Sequence, residues 1–199
     1  MKLIVLCGGK GTRLGGLTKD IPKPLVKIGN ERIIDIALKP HEELEYIFSA
    51  GYKGLTMSHF VCMNYPGSEC YIENETLGTG GAIKEIAETI EDDYFAVING
   101  DTYFDIDIKN LRKTLSRSLK NKLICSVLGV NALTQERTYA GVYLIHKDFL
   151  QYIHSTPFHL EDAIRKCRED KKATFYVTNK EFYDLGTTDG IDLYKKVFS

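Results

Sequence analysis

At 199 residues, 43% of them hydrophobic, the chain is long enough to bury close to ~70% of its unfolded surface in one domain, so residues 1–199 are expected to form a single unit. Its 26 basic and 27 acidic side chains leave a net charge of −1, which excludes the global basic field that recruits nucleic acid or an anionic membrane. The five cysteines, Cys7, Cys62, Cys70, Cys125 and Cys167, are odd in number and form no C-x-x-C pair, which argues against a disulfide framework or zinc knuckle and for a reducing compartment.

The N-terminal apolar run, Leu3 to Cys7, reads as a buried strand; it is shorter than the ~7–15 residues of a signal-peptide core, and nothing approaches the ~20 of a membrane span. A cytoplasmic protein without membrane partners is expected. The strand empties into Gly8, Gly9 and Gly11, a glycine loop able to present backbone N–H groups to phosphate. Asn30 is expected to cap a helix carrying Ile33, Ile34, Ile36 and Ala37, which Pro40 kinks or ends, and a second helical piece runs from Glu42 to Ser49. Leu55 to Met63 reads as a strand among interrupting glycines, and Cys70 to Ile72 as a short strand. Gly78 to Gly81 opens a helix with Ile83, Ile86, Ala87 and Ile90 at helical spacing. Tyr94 to Ile98 is a buried strand, and Ile108, Leu111, Leu115 and Leu119 mark an amphipathic helix capped by Asp107. Strands are expected at Leu123 to Leu128, Tyr139 to Ile145, Thr174 to Val177 and Phe182 to Leu185, and helices at Lys147 to Ile153, Leu160 to Glu169 and Asp189 to Val197. This alternation predicts an α/β fold, a Rossmann-like layered sandwich with a mixed, mainly parallel central sheet whose ligands gather beyond the carboxyl ends of its strands.

The glycine loop continues into Thr12 and Arg13, a hydroxyl and a fixed guanidinium fork, and Lys23 follows between Pro22 and Pro24. Two rival motifs fail here. A Walker loop needs Gly-Lys followed by Ser or Thr, which the segment lacks, and the dinucleotide fingerprint wants a third glycine where Leu14 stands. The run G-G-x-G-T-R-L followed by P-K-P instead resembles the sugar nucleotidyltransferases, or nucleotide-sugar pyrophosphorylases. The resemblance continues with Glu73 and LGTGGAI (Leu77 to Ile83), NGDTYFDID (Asn99 to Asp107), AGVY (Ala140 to Tyr143) and YDLGTTDGIDLY (Tyr183 to Tyr194), five motifs in the family's order from end to end.

The resemblance implies a reaction joining a nucleoside triphosphate to a sugar 1-phosphate with release of pyrophosphate, which needs positioning and charge stabilisation rather than a covalent nucleophile. It implies that Gly8, Gly9, Gly11 and Thr12 cradle the phosphates, that Arg13 neutralises the departing pyrophosphate, and that Lys23 sits near the α-phosphate and the incoming phosphate. Asp101 directly follows a buried strand and Asp184 lies near the end of the last predicted one, so both carboxylates should emerge at one sheet edge; together they suit Mg²⁺, whereas each alone reads as a helix cap or Asx turn. In the resembled family the matching aspartates hold the metal. Glu73, Gly78 and Thr79 match the wall of the nucleobase and ribose, and Gly141 the backbone that approaches the sugar. Tyr139 stands where many relatives have Asn, and Glu161, on a helix surface, is left outside the site. The histidines show no paired metal spacing, and Cys7 reads as a small buried residue rather than a reactive thiol.

The pattern departs from the family at one point. The Glu-Lys pair whose lysine grips the sugar's phosphate is missing from Val130 to Thr138. Either Arg137 or Lys122 substitutes, or acceptor binding is impaired, and the latter leaves a nucleotide-binding or regulatory homologue as the alternative reading. Within the family, the motifs look most like D-glycero-D-manno-heptose 1-phosphate and mannose-1-phosphate guanylyltransferases, which implies GTP by analogy alone.

Overall fold

The structure, a computed structural model, describes residues 1–115 and 122–198. In chain order the strands and helices are β1 (Lys2–Leu6), β2 (Lys27–Ile28), β3 (Glu31–Arg32), α1 (Ile33–Leu38), β4 (Glu45–Ala50), α2 (Gly54–Asn64), β5 (Glu69–Ile72), α3 (Gly78–Ala87), β6 (Tyr94–Asn99), β7 (Thr102–Tyr103), α4 (Ile108–Leu115), β8 (Ile124–Asn131), β9 (Arg137–His146), α5 (Leu160–Glu169), β10 (Ala173–Asp184) and α6 (Thr188–Phe198). An eight-stranded sheet runs β5-β4-β1-β6-β9-β8-β10-β7, and β2 and β3 form a separate hairpin. The pairs β4–β5, β1–β4, β1–β6 and β8–β10 are parallel, while β9 runs against both β6 and β8, as β7 does against β10.

Helices cover both faces. Leu3 and Val5 of β1 point into one apolar layer with Phe48, Met57, Phe60 and Leu111; Ile4 points into the other with Ile83, Ile86, Phe95 and Ile164. A strand buried on both faces is what a continuous apolar run such as LIV encodes. A third cluster, Leu14, Val26, Ile28, Ile33, Ile36, Leu185, Ile191 and Tyr194, fastens α6 and the glycine-loop segment together.

Several expectations are corrected. Glu42 to Ser49 is not helical: its second half is β4, wedged between β1 and β5 in parallel register, with Tyr46 and Phe48 facing one layer and Ile47 the other. Leu55 to Met63 is not a strand but most of α2, whose buried Met57, Phe60 and Val61 recur at helical spacing. Asn30 does not cap α1. It lies in the β2–β3 hairpin, and the Asp35 side chain instead accepts from the Arg32 N–H at 3.2 Å. The two strands expected at Thr174 to Val177 and Phe182 to Leu185 are one, β10, interrupted by a register shift between Val177 and Glu181. Lys147 to Ile153 forms a 3-10 helix, Lys147–Tyr152, rather than an α-helix. Asp107 does cap α4, accepting from the Asn110 N–H at 2.9 Å, while Leu119 lies outside the described residues.

The chain passes from β1 to β4 and β5 on one side of the sheet, then crosses to β6 on the other. Such a reversal leaves a crevice at the carboxyl ends of β1 and β6, where ligands bind in open α/β sheets. The glycine loop leaves one of those ends and Asn99-Gly100-Asp101 the other, tied by the Gly100 N–H donating to the Leu6 carbonyl at 3.0 Å.

Candidate active site

Two adjoining cavities occupy that crevice, of about 380 and 190 Å³, and Arg13, Asn99 and Asp101 line both. Gly8, Gly9, Lys23, Ser49, Glu73, Thr76, Gly78, Thr79 and His159 also line the larger; Gly141, Tyr139, Asn131 and Asp184 belong to the smaller. A broader concavity of about 560 Å³ between residues 39–44 and 107–113 holds none of the motif residues, and its Lys109 is paired with Glu43 at 2.8 Å.

Local folding explains each position. Gly11 adopts φ +67, and a Cβ there would lie 2.9 Å from that of Lys23 and 2.8 Å from Thr18 Cγ2, so a side chain is excluded on both counts. The loop therefore closes directly onto Lys23. The Thr18 hydroxyl holds that closure by donating to the Gly11 carbonyl at 3.0 Å. Lys23 opens a 3-10 turn after Pro22, so its stem leaves a stiffened backbone. Leu14, 3% exposed, anchors the turn that leaves its neighbour Arg13 free to face the crevice.

The two aspartates meet because β7 pairs antiparallel with the end of β10, setting Asp184 opposite Thr102, next to Asp101. The Leu185 N–H donating to the Asp101 carbonyl at 2.8 Å locks this register. Arg13 Nη1 lies 3.0 Å from Asp184 Oδ2, and Lys23 Nζ donates to Asp101 Oδ2. The Lys23 and Asp101 side chains are only 16% and 12% exposed, against 61% for Arg13, so the lysine pair is the more shielded of the two. Three of these charges converge at Gly186: a Cβ there would sit 2.5 Å from Asp101 Oδ2, 2.9 Å from Asp184 Oδ1 and 3.2 Å from Arg13 Nη2.

On the opposite wall, Glu73 accepts from the Ser49 hydroxyl at 3.1 Å. Gly78 and Thr79 open α3, and the Thr79 hydroxyl accepts from the Leu160 N–H at 3.0 Å, tying α3 to α5. Of the residues expected in the site, Gly11 and Thr12 line neither cavity; Gly11 acts by admitting Lys23, and Thr12 is exposed. Neither proposed substitute for the missing lysine lines the crevice. Lys122 stands at the far end of β8, donating to the Lys171 carbonyl, and Arg137 donates to Asn179 Oδ1 at 2.6 Å. Cys7 is 3% exposed, and burial pushes its thiol well above the ordinary range, as expected of a packing residue.

Sequence reasoning overlooked Gly186, Asn99, Ser49 and His159. Gly186 and Asn99 lie within the LGTTDG and NGD runs and were legible there; Ser49 was hidden in a misread helix; His159 carries no sequence signal.

Asp101 Oδ2 and Asp184 Oδ1 supply two hard oxygens facing one point, a donor set that fits Mg²⁺ once phosphate and water oxygens complete it. No group of three or more His, Cys, Asp or Glu able to hold a metal occurs among the described residues, so a bound ion would draw on the substrate for ligands.

A crevice at the switch point of a mainly parallel sheet, with two cations and two carboxylates on one wall and a glycine loop at its lip, defines a phosphate-handling α/β enzyme. The nucleotidyl transferase family model matches residues 2–139. A D-glycero-alpha-D-manno-heptose 1-phosphate guanylyltransferase from Campylobacter jejuni is 31% identical over 213 residues, covering 95% of this chain and 96% of the relative. A protein of the same description from Aneurinibacillus thermoaerophilus is 28% identical, covering 95% of this chain and 94% of the relative. Among solved structures, HddC from Yersinia pseudotuberculosis complexed with GMP-PN superposes with a TM-score of 0.80 at 25% identity, covering 100% of this chain and 99% of that one. The chain belongs to the nucleotidyl transferase family and is a sugar-1-phosphate nucleotidyltransferase. No helix among the described residues is long and apolar enough to cross a membrane.

Proposed function

We propose that this protein joins GTP to D-glycero-D-manno-heptose 1-phosphate, or failing that to mannose 1-phosphate, releasing pyrophosphate. The observation that carries the reading is the convergence of Arg13, Lys23, Asp101 and Asp184 on one crevice, with the reacting phosphates as the natural occupants. Guanine and heptose come from the likeness to the named guanylyltransferases. One sheet whose strands are drawn from Lys2 to Asp184 supports action as a single domain, and the cysteine and hydropathy patterns support a cytoplasmic location.

In this reading the phosphate loop runs from Gly8 to Thr12, with Gly8 and Gly9 lining the crevice, Gly11 closing the turn onto Lys23, and Arg13 directed at the β and γ phosphates. Lys23, shielded beside Asp101, lies between the α-phosphate and the incoming sugar phosphate, where it offsets repulsion between two anions and holds them in line. Glu73, Gly78 and Thr79 wall the base and ribose; Gly141 admits the sugar. Asp101 and Asp184 would hold Mg²⁺; members of the family generally use a divalent metal ion. When bound, that ion supplies charge stabilisation on the phosphate oxygens. Because each cation is already paired with a carboxylate, both side chains are held in the crevice before substrate arrives, so little ordering remains to be done on binding. Arg13 and Lys23 also offer acceptor-phosphate binding without the missing lysine.

Pyrophosphate release measured across four nucleoside triphosphates and several sugar 1-phosphates tests the reading. Turnover with GTP and a manno-configured sugar 1-phosphate is expected. Tight binding of a nucleotide sugar with no turnover for any pair would replace it with the binding or regulatory homologue.

A further inference from the structure

A side cavity of about 270 Å³ opens between β9 and α5, and one residue joins it to the reaction crevice: Tyr139 lines both this space and the sub-cavity of Asp101, Asp184 and Gly141. The Tyr139 ring is 41% exposed at that junction and packs against Phe175, with ring centroids 6.2 Å apart. The remaining walls are Tyr143, two residues beyond Gly141 on β9, and Glu161, Ile164, Arg165 and Arg168 of α5.

Tyr143 is the telling residue. Its side chain is 5% exposed, yet its hydroxyl has no hydrogen-bond partner among the described residues and is not one of the sealed polar atoms. The hydroxyl therefore opens onto the cavity it lines. Burial first, then the neighbouring Glu161 and Tyr139, push its phenol well above the ordinary range, so at neutral pH it stays protonated and can donate as well as accept. A hydroxyl on a buried side chain that opens into a cavity beside a reaction site is met by water until a ligand with a matching polar group takes its place.

The rest of the wall says what kind of ligand. Arg165 is held by Asp162 at 2.7 Å, and the Arg168 guanidinium rests over Phe175, 5.6 Å from its centroid, so both forks are oriented in advance. Glu161 lines the same space and opposes binding of an anion there, while a purely apolar group would leave the phenol and carboxylate unmet. Aromatic rings beside a carboxylate, a phenol and guanidinium forks suit a neutral chain of vicinal hydroxyls.

We propose that this cavity receives the exocyclic polyol chain of the acceptor sugar, so that Tyr139, Tyr143 and the first turns of α5 favour a seven-carbon sugar 1-phosphate over a hexose. The inference rests on the acceptor being a sugar 1-phosphate, as proposed above. With phosphate beside Arg13 and Lys23 and the ring passing Gly141, the only part of the acceptor left to reach past Tyr139 is the chain beyond the ring. A hydroxymethyl group brings one hydroxyl to that junction; a dihydroxyethyl group brings two, on a chain one carbon longer.

The test uses Tyr143→Phe, which removes one oxygen and no packing, together with Tyr139→Ala. With GTP, kcat/KM is measured for D-glycero-D-manno-heptose 1-phosphate and for mannose 1-phosphate, and calorimetry gives the Kd of each sugar 1-phosphate. Tyr143→Phe is expected to lower the heptose-to-hexose ratio of kcat/KM about fivefold, the worth of one ordinary hydrogen bond, through KM rather than kcat. Tyr139→Ala should lower it further. A ratio unchanged in both variants, or an equal loss for both sugars, overturns the inference. If both sugars bind without turnover, the catalytic reading fails, and the ratio of Kd values decides this one by the same criterion. If neither binds, both fall.

Discussion

Replacing Gly186 with alanine is the sharpest probe of the site, because it adds one methyl group at the point where the charges meet. The new Cβ would lie 2.5 Å from Asp101 Oδ2 and 2.9 Å from Asp184 Oδ1, with Arg13 Nη2 at 3.2 Å. Relieving the first contact moves the Asp101 carboxylate by about 1 Å, and misplacement on that scale costs on the order of 10²-fold in rate. That corresponds to roughly 2.7 kcal/mol of barrier. The fold should tolerate the change. Gly186 needs no positive φ, and alanine narrows the unfolded ensemble by about 0.4–1 kcal/mol where the backbone is compatible. Pyrophosphate release at saturating substrates and divalent cation should therefore fall about a hundredfold, while the melting temperature stays within a few degrees of wild type. Near-normal kcat would mean that Asp101 and Asp184 do not act at this point; a collapsed melting temperature would mean that Gly186 is there for packing.

Asp101→Asn keeps the shape but removes the charge that faces both Lys23 and the Gly186 point. Turnover is expected to drop by about 10³-fold, close to the ~4 kcal/mol upper range for one electrostatic group in a site, and to lose its dependence on divalent-cation concentration, which a metal titration of the variant would reveal. His41, 4% exposed, has its pKa lowered from 6.5 to about 4 by burial, partly offset by Asp105 and Asp107. A folded-state value below the unfolded one means that the unfolded chain binds more protons between those limits. The stability is thus complete above pH 6.5 and lost as pH falls towards 4. About 2 kcal/mol should have gone by pH 5. Urea unfolding at pH 7 and 5 should show that loss in wild type and a much smaller one in His41→Gln; equal losses would mean that His41 is not responsible.

Much of this protein was legible along the chain because its determinants are local. An apolar run emptying into glycines, an aspartate set directly after a buried strand, and a lysine between two prolines each declare a backbone shape and a charge without reference to anything distant. The sheet class and most helices followed from the same short-range patterns. Where patterns conflicted, only pairing partners could decide. Glu45 to Ala50 contains both helix formers and strand formers, and it is a strand because β1 and β5 flank it. In α2, Leu55 and Met63 are 80% and 70% exposed, so apolar residues on the outer face blur the helical stripe that Met57, Phe60 and Val61 form within.

The sequence by itself determined which charged groups this protein owns and that they suit phosphate chemistry, since residue type and neighbouring backbone suffice for that. Only the tertiary structure decided that Asp184 closes on Asp101, because the β7–β10 pairing joins positions far apart in the chain. It alone also showed that a side chain at Gly186 would press on both aspartates, and that Tyr143 turns an unmet hydroxyl into a space shared with Tyr139. Spacing along a chain encodes periodicity and caps; close approach between distant segments, and the room left between them, exists only once the sheet and its helices have packed.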